Sequence, residues 1–448
     1  MNYPAYPEYR NSGVESLGQV PQHWEIISAK LCYEIQLGKM LQNNPASITD
    51  QEITYLKALH VTWSGVKTSD LPTMWASTGD LEKYAVNDGD MLVCEGGEVG
   101  RASILRKPND SEPWIIQNAL HRVRGSGLGD VEYFNYLLRH IADSGWFDIL
   151  CNKATIAHLT GEKLGALKVS IPDKTEQQTI AQFLDHKTQQ IDQLIAKKQT
   201  LIDKLNEQRI ALITHAVTKG LNPDVEMKST GIRWLEKVPK TWQKRRLKFV
   251  VQNIVDTEHK TAEFFEDGDY LVVRTTNVRN GKLILDKAKY TNQEVYEEWT
   301  RRATPKAGDI LFTREAPAGE ACIVPNDIKL CIGQRMVLFQ FDKAEINPVF
   351  LLNALQAGLA DEFIKKLSLG STVAHFNMSD IQNIPILLPS VEEQNDIASY
   401  LGVATHRVDR MIDLNQQTID KLREYRTALI TAAVTGKIDL RHWQEKKG

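Results

Sequence analysis

The sequence predicts an α+β chain built twice: two pseudo-repeated globular domains, separated by two long helices that form an antiparallel coiled coil. Three observations predict it. The helical phrase "RIALITHAVTKGL" at 209–221 returns as "RTALITAAVTGKI" at 426–438, an offset of 217. Other phrases return in the same order at nearly the same offset. Apolar residues then recur every seven positions after each globular part.

The repeat covers the chain. "GVESLGQVPQHW" (13–24) is answered by "GIRWLEKVPKTW" (231–242), and "GDMLVCEGGEVGRA" (89–102) by "GDILFTREAPAGEA" (308–321). "TIAHLTGEKLGALKVSIP" (155–172) is answered by "TVAHFNMSDIQNIPILLP" (372–389), and "EQQTIAQFLDHKTQQID" (176–192) by "EQNDIASYLGVATHRVD" (393–409). Constant offsets over such a length mark an internal duplication. The predicted divisions are a globular domain over 1–172, a helix over 173–220, a second domain over 221–389 and a second helix over 390–448.

Short β-like runs such as "YLVV" (270–273), "DILF" (309–312) and "MVLFQF" (336–341) lie among turn signals within the domains. No strand order follows from them. Each long helix opens on a capping box, Asp173 with Glu176 and Ser390 with Glu393, and ends near glycine, Gly220 and Gly436. Leu184, Ile191, Leu205 and Leu212 fall at steps of seven, with Leu194 and Leu201 as the intermediate set. Leu401, Val408, Leu422 and Leu429 repeat the steps, with Met411 between. Lys198 and Asn415 interrupt the two seams at equivalent places, where a polar residue can fix register.

Composition narrows the function. With 42% hydrophobic and 25% charged residues, the chain reads as soluble and globular, and no apolar run reaches the roughly 20 residues of a membrane span. Five cysteines without a CxxC pair fit a reduced cytoplasm and give no zinc spacing. The net charge of −3 would not by itself suggest nucleic acid. Residues 1–172 carry 15 Lys and Arg against 20 Asp and Glu, and residues 221–389 carry 23 against 22. A DNA surface would have to be a local basic face.

Enzymatic signatures are missing. There is no GxxxxGK[ST] and no GxGxxG turn. "NPVF" (347–350) superficially matches the tetrad with which amino-methyltransferases grip a flipped base. Asn347 as helix N-cap with Pro348 at the first helical position explains it better, because the matching "DVEY" (130–133) keeps a capping Asp and drops the proline. The repeated histidines, His158 and His375, read as structural.

The doubled order of these motifs resembles the specificity (S) subunit of type I restriction–modification enzymes, over nearly the whole chain. That resemblance implies that the domains are target-recognition domains, each reading one half of a bipartite, asymmetric sequence in double-stranded DNA. It implies a non-catalytic chain held to two methyltransferase subunits and to restriction/translocase subunits. S-adenosylmethionine, ATP and Mg would then belong to those partners, with no cofactor or metal in this chain. A symmetric pair of partners docks on surfaces presented twice, and the helices are what the chain repeats best. The competing reading is a pseudo-symmetric protein adaptor that binds no DNA.

Positions identical in both domains cannot distinguish different half-sites, so candidate base-readers are aligned positions that differ chemically. "CEGGEVG" against "TREAPAG" sets Glu95 opposite Arg314, an acceptor for cytosine N4 against a fork for guanine. "KALHVTW" (57–63) against "VRTTNVR" (273–279) offers Lys57, His60, Trp63, Arg274, Asn277 and Arg279. "QNALHRVR" (117–124) near "GQRMVLF" (333–339) offers Gln117, Asn118, Arg122, Gln334 and Arg335.

Overall fold

A computed structural model of the chain describes residues 3–15, 17–108, 112–150, 158–232, 235–257, 260–315, 317–359 and 376–445. His375, Cys151 and Trp234 lie outside the described residues. The chain forms two compact units, residues 1–198 with 417–448, and residues 199–416. The division falls within the long helices, so each unit holds one half of both.

In the first unit, one sheet runs in the order Ala102–Ile104, Met91–Cys94, Leu120–Gly125, Tyr33–Leu37, all antiparallel. A second runs Thr73–Ala76, Gln51–Leu56, Trp114–Ile116, Ala85–Val86, and its two central strands are parallel. The second unit repeats this plan. Its antiparallel sheet is Asn253–Asp256, Met336–Gln340, Ile310–Thr313, Ala321–Ile323. Its other sheet is Lys289–Thr291, Tyr270–Val273, Leu330–Ile332, the last two parallel. The duplicated motifs are duplicated structure. Trp24 and Trp242 of the VPxxW phrases are both fully buried, and the backbone N–H of each donates to the carbonyl of the proline three residues earlier, Pro21 O and Pro239 O, at 3.0 Å. The Asp of each GD turn is buried and accepts a backbone N–H three residues upstream, Asn87 at 2.7 Å and Lys306 at 2.9 Å.

The long helices span Lys174–Lys219 and Val391–Val434. At 1.5 Å per residue each is about 65–70 Å long. Half of each capping box forms: Glu176 N–H donates to Asp173 Oδ1 at 2.9 Å, and Glu393 N–H to Ser390 Oγ at 3.3 Å. The Glu176 side chain, expected to return to the cap, is instead buried under stronger donors, accepting from Tyr6 Oη at 2.6 Å, Trp24 Nε1 at 3.1 Å and His23 Nε2 at 2.9 Å. Next to it, fully buried Gln177 accepts from Asp130 N–H at 2.8 Å and donates to Leu128 O and Pro172 O. Gln394 does the same with Asn347 N–H, Glu345 O and Pro389 O. These glutamines pin the start of each long helix to the N-cap of a domain helix. Asn347 and Asp130 are those caps: Asn347 Oδ1 accepts from Val349 and Phe350 N–H, Asp130 Oδ1 from Tyr133 N–H.

Within each unit the two helix halves run antiparallel. In the first, Leu184 and Ile191 share a core with Leu429 and Ala433, and Arg426 pairs with Asp192 at 3.1 Å. In the second, Ile213, Ala216, Ile397 and Leu401 share a core, and Arg209 pairs with Asp409 at 2.8 Å. The two ion pairs are one pair repeated, since 192 and 409, like 209 and 426, differ by 217.

At the seven-residue steps of the expected seam, Leu184, Ile191, Leu205, Leu401, Val408, Leu429 and Asn415 are buried, with Lys198, Leu212 and Leu422 partly so. The intermediate set is corrected. Leu194, Leu201 and Met411 are 41%, 38% and 46% exposed. The inward positions are one residue later, at Ile195, Ile202 and Ile412, with Ile202 buried and the other two partly so. A step of four after each heptad position, rather than three, faces the partner helix.

In the first unit the segment after the second helix packs beside the chain's opening segment. Asp439 N–H donates to Pro4 O at 2.7 Å, and Trp443 sets an edge against Phe183 with centroids 5.2–5.4 Å from the rings of Tyr3 and Trp443 to that phenylalanine. Val434 O accepts from Tyr133 Oη at 3.3 Å and Ser170 Oγ at 3.2 Å, tying the end of the second helix into the domain core.

Candidate nucleic-acid interface

Three stretches distant in sequence meet at one end of the parallel strand pair in each domain. In the first domain Gln51–Leu56 and Trp114–Ile116 run side by side, so the turns that leave them, at 57–60 and 117–120, emerge together. Gln117 N–H donates to Leu56 O at 2.9 Å. The loop after Met91–Cys94 joins them, with Glu95 N–H donating to Ala119 O at 3.0 Å. In the second domain Gly333 N–H donates to Val273 O at 2.8 Å, and Arg314 N–H to Arg335 O at 2.9 Å. The backbone arrangement is the same; the side chains it carries differ.

The candidates divide by what holds them. Asn277 is fully buried, accepting from Arg274 N–H at 3.1 Å and donating to Ile284 O at 2.9 Å. His60 is its counterpart, with Nδ1 accepting from Lys57 N–H at 3.2 Å. Burial, then Lys57 and Lys67, holds the His60 imidazole below its ordinary pKa. Arg122, 5% exposed, donates to Ala85 O at 2.6 Å and Lys83 O at 3.3 Å and pairs with Glu34 at 3.2 Å. Arg314 is no loop charge open to solvent: at 8% exposure it pairs with Asp256 at 2.6 Å and donates to Phe376 O at 3.2 Å. These four side chains are committed to closing turns and tying strands.

Trp63 is half-occupied, its Nε1 donating to Glu98 at 2.7 Å and its ring covered by the Arg139 guanidinium at 4.8 Å. Arg279 donates to Thr275 O and Val278 O, next to its own turn. At the junction itself Lys57, Glu95, Gln117 and Asn118 are partly exposed in the first domain. In the second, Arg274, Gln334 and Arg335 line a cleft of about 280 Å³ with Phe264 and Thr276. Arg274 donates to Lys287 O at 2.8 Å, and Gln334 accepts from Thr261 Oγ1 at 3.5 Å. Arg335 is exposed and pairs with Glu315 at 3.1 Å. Glu315 was absent from the candidates although it lies opposite Gly96 in the quoted phrases, an aligned position that differs in kind. His158 is exposed, with its ring 3.6 Å from where a Cβ on Gly96 would stand.

Amides, amines and guanidinium groups over an exposed junction are the donors and acceptors that read base edges. Among the described residues no group of three or more His, Cys, Asp or Glu could hold a metal ion, and no helix is long and apolar enough to cross a membrane. Comparison with known proteins gives a consistent result. The family model described as the type I restriction modification DNA specificity domain matches residues 41–207 and again 239–424. A putative type I restriction enzyme specificity subunit, MjaX, from Methanocaldococcus jannaschii is 23% identical over 446 residues, covering 94% of this chain and 95% of its own. Two solved structures share the fold. One, from work on complex assembly and conformational transition of the type I R-M system, has a TM-score of 0.70 at 14% identity, covering 94% of this chain and 99% of its own. The other, the HsdS subunit from Thermoanaerobacter tengcongensis, has a TM-score of 0.54 at 15% identity, covering 94% and 98%.

Proposed function

Since the chain belongs to the type I restriction–modification DNA specificity family, its role is DNA recognition, and we propose that each domain reads one half of a bipartite, asymmetric target through the junction of its three loops. The observation that carries this reading is the junction itself, built twice with the same backbone bonds and different side chains. Two readers whose junctions share backbone bonds and carry different side chains suit two unlike half-sites. The accessible polar set on each is short: Lys57, Glu95, Gln117 and Asn118 in one, Arg274, Gln334 and Arg335 in the other.

The helices serve as spacer and as dock. Their outward faces carry apolar side chains, among them Leu194, Leu201, Met411 and Leu414, suited to cover by partner helices. Two methyltransferase subunits would occupy the two repeated surfaces, and restriction/translocase subunits would join through them. On this reading the chain performs no chemistry. S-adenosylmethionine, ATP and Mg belong to the partners, and the cytoplasm, where its DNA lies, is the place of work.

A methylome tests this. The chain is co-expressed with the methyltransferase subunit of its system in a methylation-free host, and every modified base is mapped. The expected result is a two-part motif with a fixed unread gap, in which exchanging residues 1–172 for those of a relative changes one half only. No new modification by a folded, associated complex would defeat the reading.

A further inference from the structure

The turn leaving the second parallel strand differs between the domains in a coordinated way. Both turns are closed by the same bond, Leu120 N–H to Gln117 O at 2.9 Å and Met336 N–H to Gly333 O at 3.2 Å. In the second domain the third turn residue, Arg335, has φ +72°, the left-handed value of a type II turn. Glycine or asparagine adopts that conformation with little strain; an arginine does not. The counterpart Ala119 is not left-handed. So the second domain keeps a large cation on strained backbone, where the first sets a methyl group on backbone that is not left-handed.

A second change accompanies it. Arg335 Nε lies 3.1 Å from Glu315 Oε1, and Glu315 occupies the position that is Gly96 in the first domain. The first domain therefore lacks both members of the pair. Stability does not explain the pair's presence. The Arg335 side chain is 49% exposed, and ion pairs in water add little. The strained backbone subtracts. What the two residues do accomplish is to hold a half-exposed guanidinium by its Nε at the point where three loops meet.

We propose that Arg335 is a specificity-determining residue of the second domain, forking onto a guanine in its half-site. Glu315 is its positioning residue, restraining the side chain through Nε beside the groove-facing surface. A planar fork of donors matches guanine O6 and N7, and restraint before binding reduces the entropy lost on contact. The assignment rests on the reading of this domain as a DNA reader.

The test is a set of methylomes for the complex containing the parent chain, Arg335→Gly, Arg335→Lys and Glu315→Gln, with melting temperatures for each. Arg335→Gly relieves the left-handed strain, so its melting temperature should equal or exceed the parent's. One guanine position in one half of the motif should become degenerate, discrimination there falling about ten- to a hundredfold, with the other half unchanged. Arg335→Lys keeps the charge without the fork and should lose much of the same discrimination. Glu315→Gln should keep the motif and lower methylation at matching sites, which a merely structural role would not do without lowering the melting temperature.

A motif left intact by both Arg335 variants would overturn the assignment. So would methylation falling equally at every sequence, the mark of a phosphate contact. A parent complex that methylates no two-part motif would overturn the reading of both domains, and this assignment with it.

Discussion

His60 and Asn277 close the same turn with different chemistry. Each accepts the N–H of the residue three positions earlier, but only the imidazole can lose that acceptor by taking up a proton. His60 is held below its ordinary value of 6.5, chiefly by burial. Its contribution is therefore fully present above 6.5 and is lost as pH falls through the lower folded value. His60→Asn should keep the turn, as Asn277 does, and flatten the decline of melting temperature between pH 7 and 5. His121, also buried and held below 6.5, continues to contribute in both proteins, so the difference between the two curves isolates residue 60. An unchanged slope would mean that the turn does not depend on this acceptor. At this scale much of the site was not legible. Arg122 and Arg314 were chosen as chemically suitable readers, yet their partners, Ala85 and Asp256, lie 37 and 58 positions away. Nothing local announces that a distant carboxylate or carbonyl will claim a guanidinium.

At the scale of the helices, the sequence displays the seam's period but not its phase. Leu194 stands next to Ile195, and Leu201 next to Ile202, so either member of each pair could face inward. The heptad spacing reads the leucines as the intermediate set; the partner helix selects the isoleucines. The difference is measurable. Ile191→Ala, within the shared core of the first unit, should cost about 2–4 kcal/mol. Leu194→Ala, on the outer face, should change stability by less than about 0.5 kcal/mol. It should weaken association with the methyltransferase subunit instead. Equal destabilisation by both would return Leu194 to the seam. The long helices themselves were legible because caps, heptads and repeat agree with one another. The strand order was not, since parallel pairing of Gln51–Leu56 with Trp114–Ile116 joins segments separated by some 60 residues.

At the scale of the molecule, the duplication is what made function readable. Each motif could be checked against its second copy, and a resemblance spread over the chain was stronger than any part of it. The same duplication conceals a difference between the copies. Residues 199–416 make a unit from one continuous stretch, whereas the other unit needs residues 417–448 to complete what 1–198 begin. Leu429, Ala433 and Val434 lie in its core, and Tyr133 and Ser170 wait for the carbonyl of Val434. Ribosomal synthesis proceeds from the N-terminus, so the domain made first is finished last. A nascent chain halted after residue 416 should resist protease across 199–416 while 1–198 is cut, and extension to residue 445 should close both. Until then the early domain is exposed to proteases and chaperones, and the cell has a chain whose two halves mature in the reverse of the order in which they are translated.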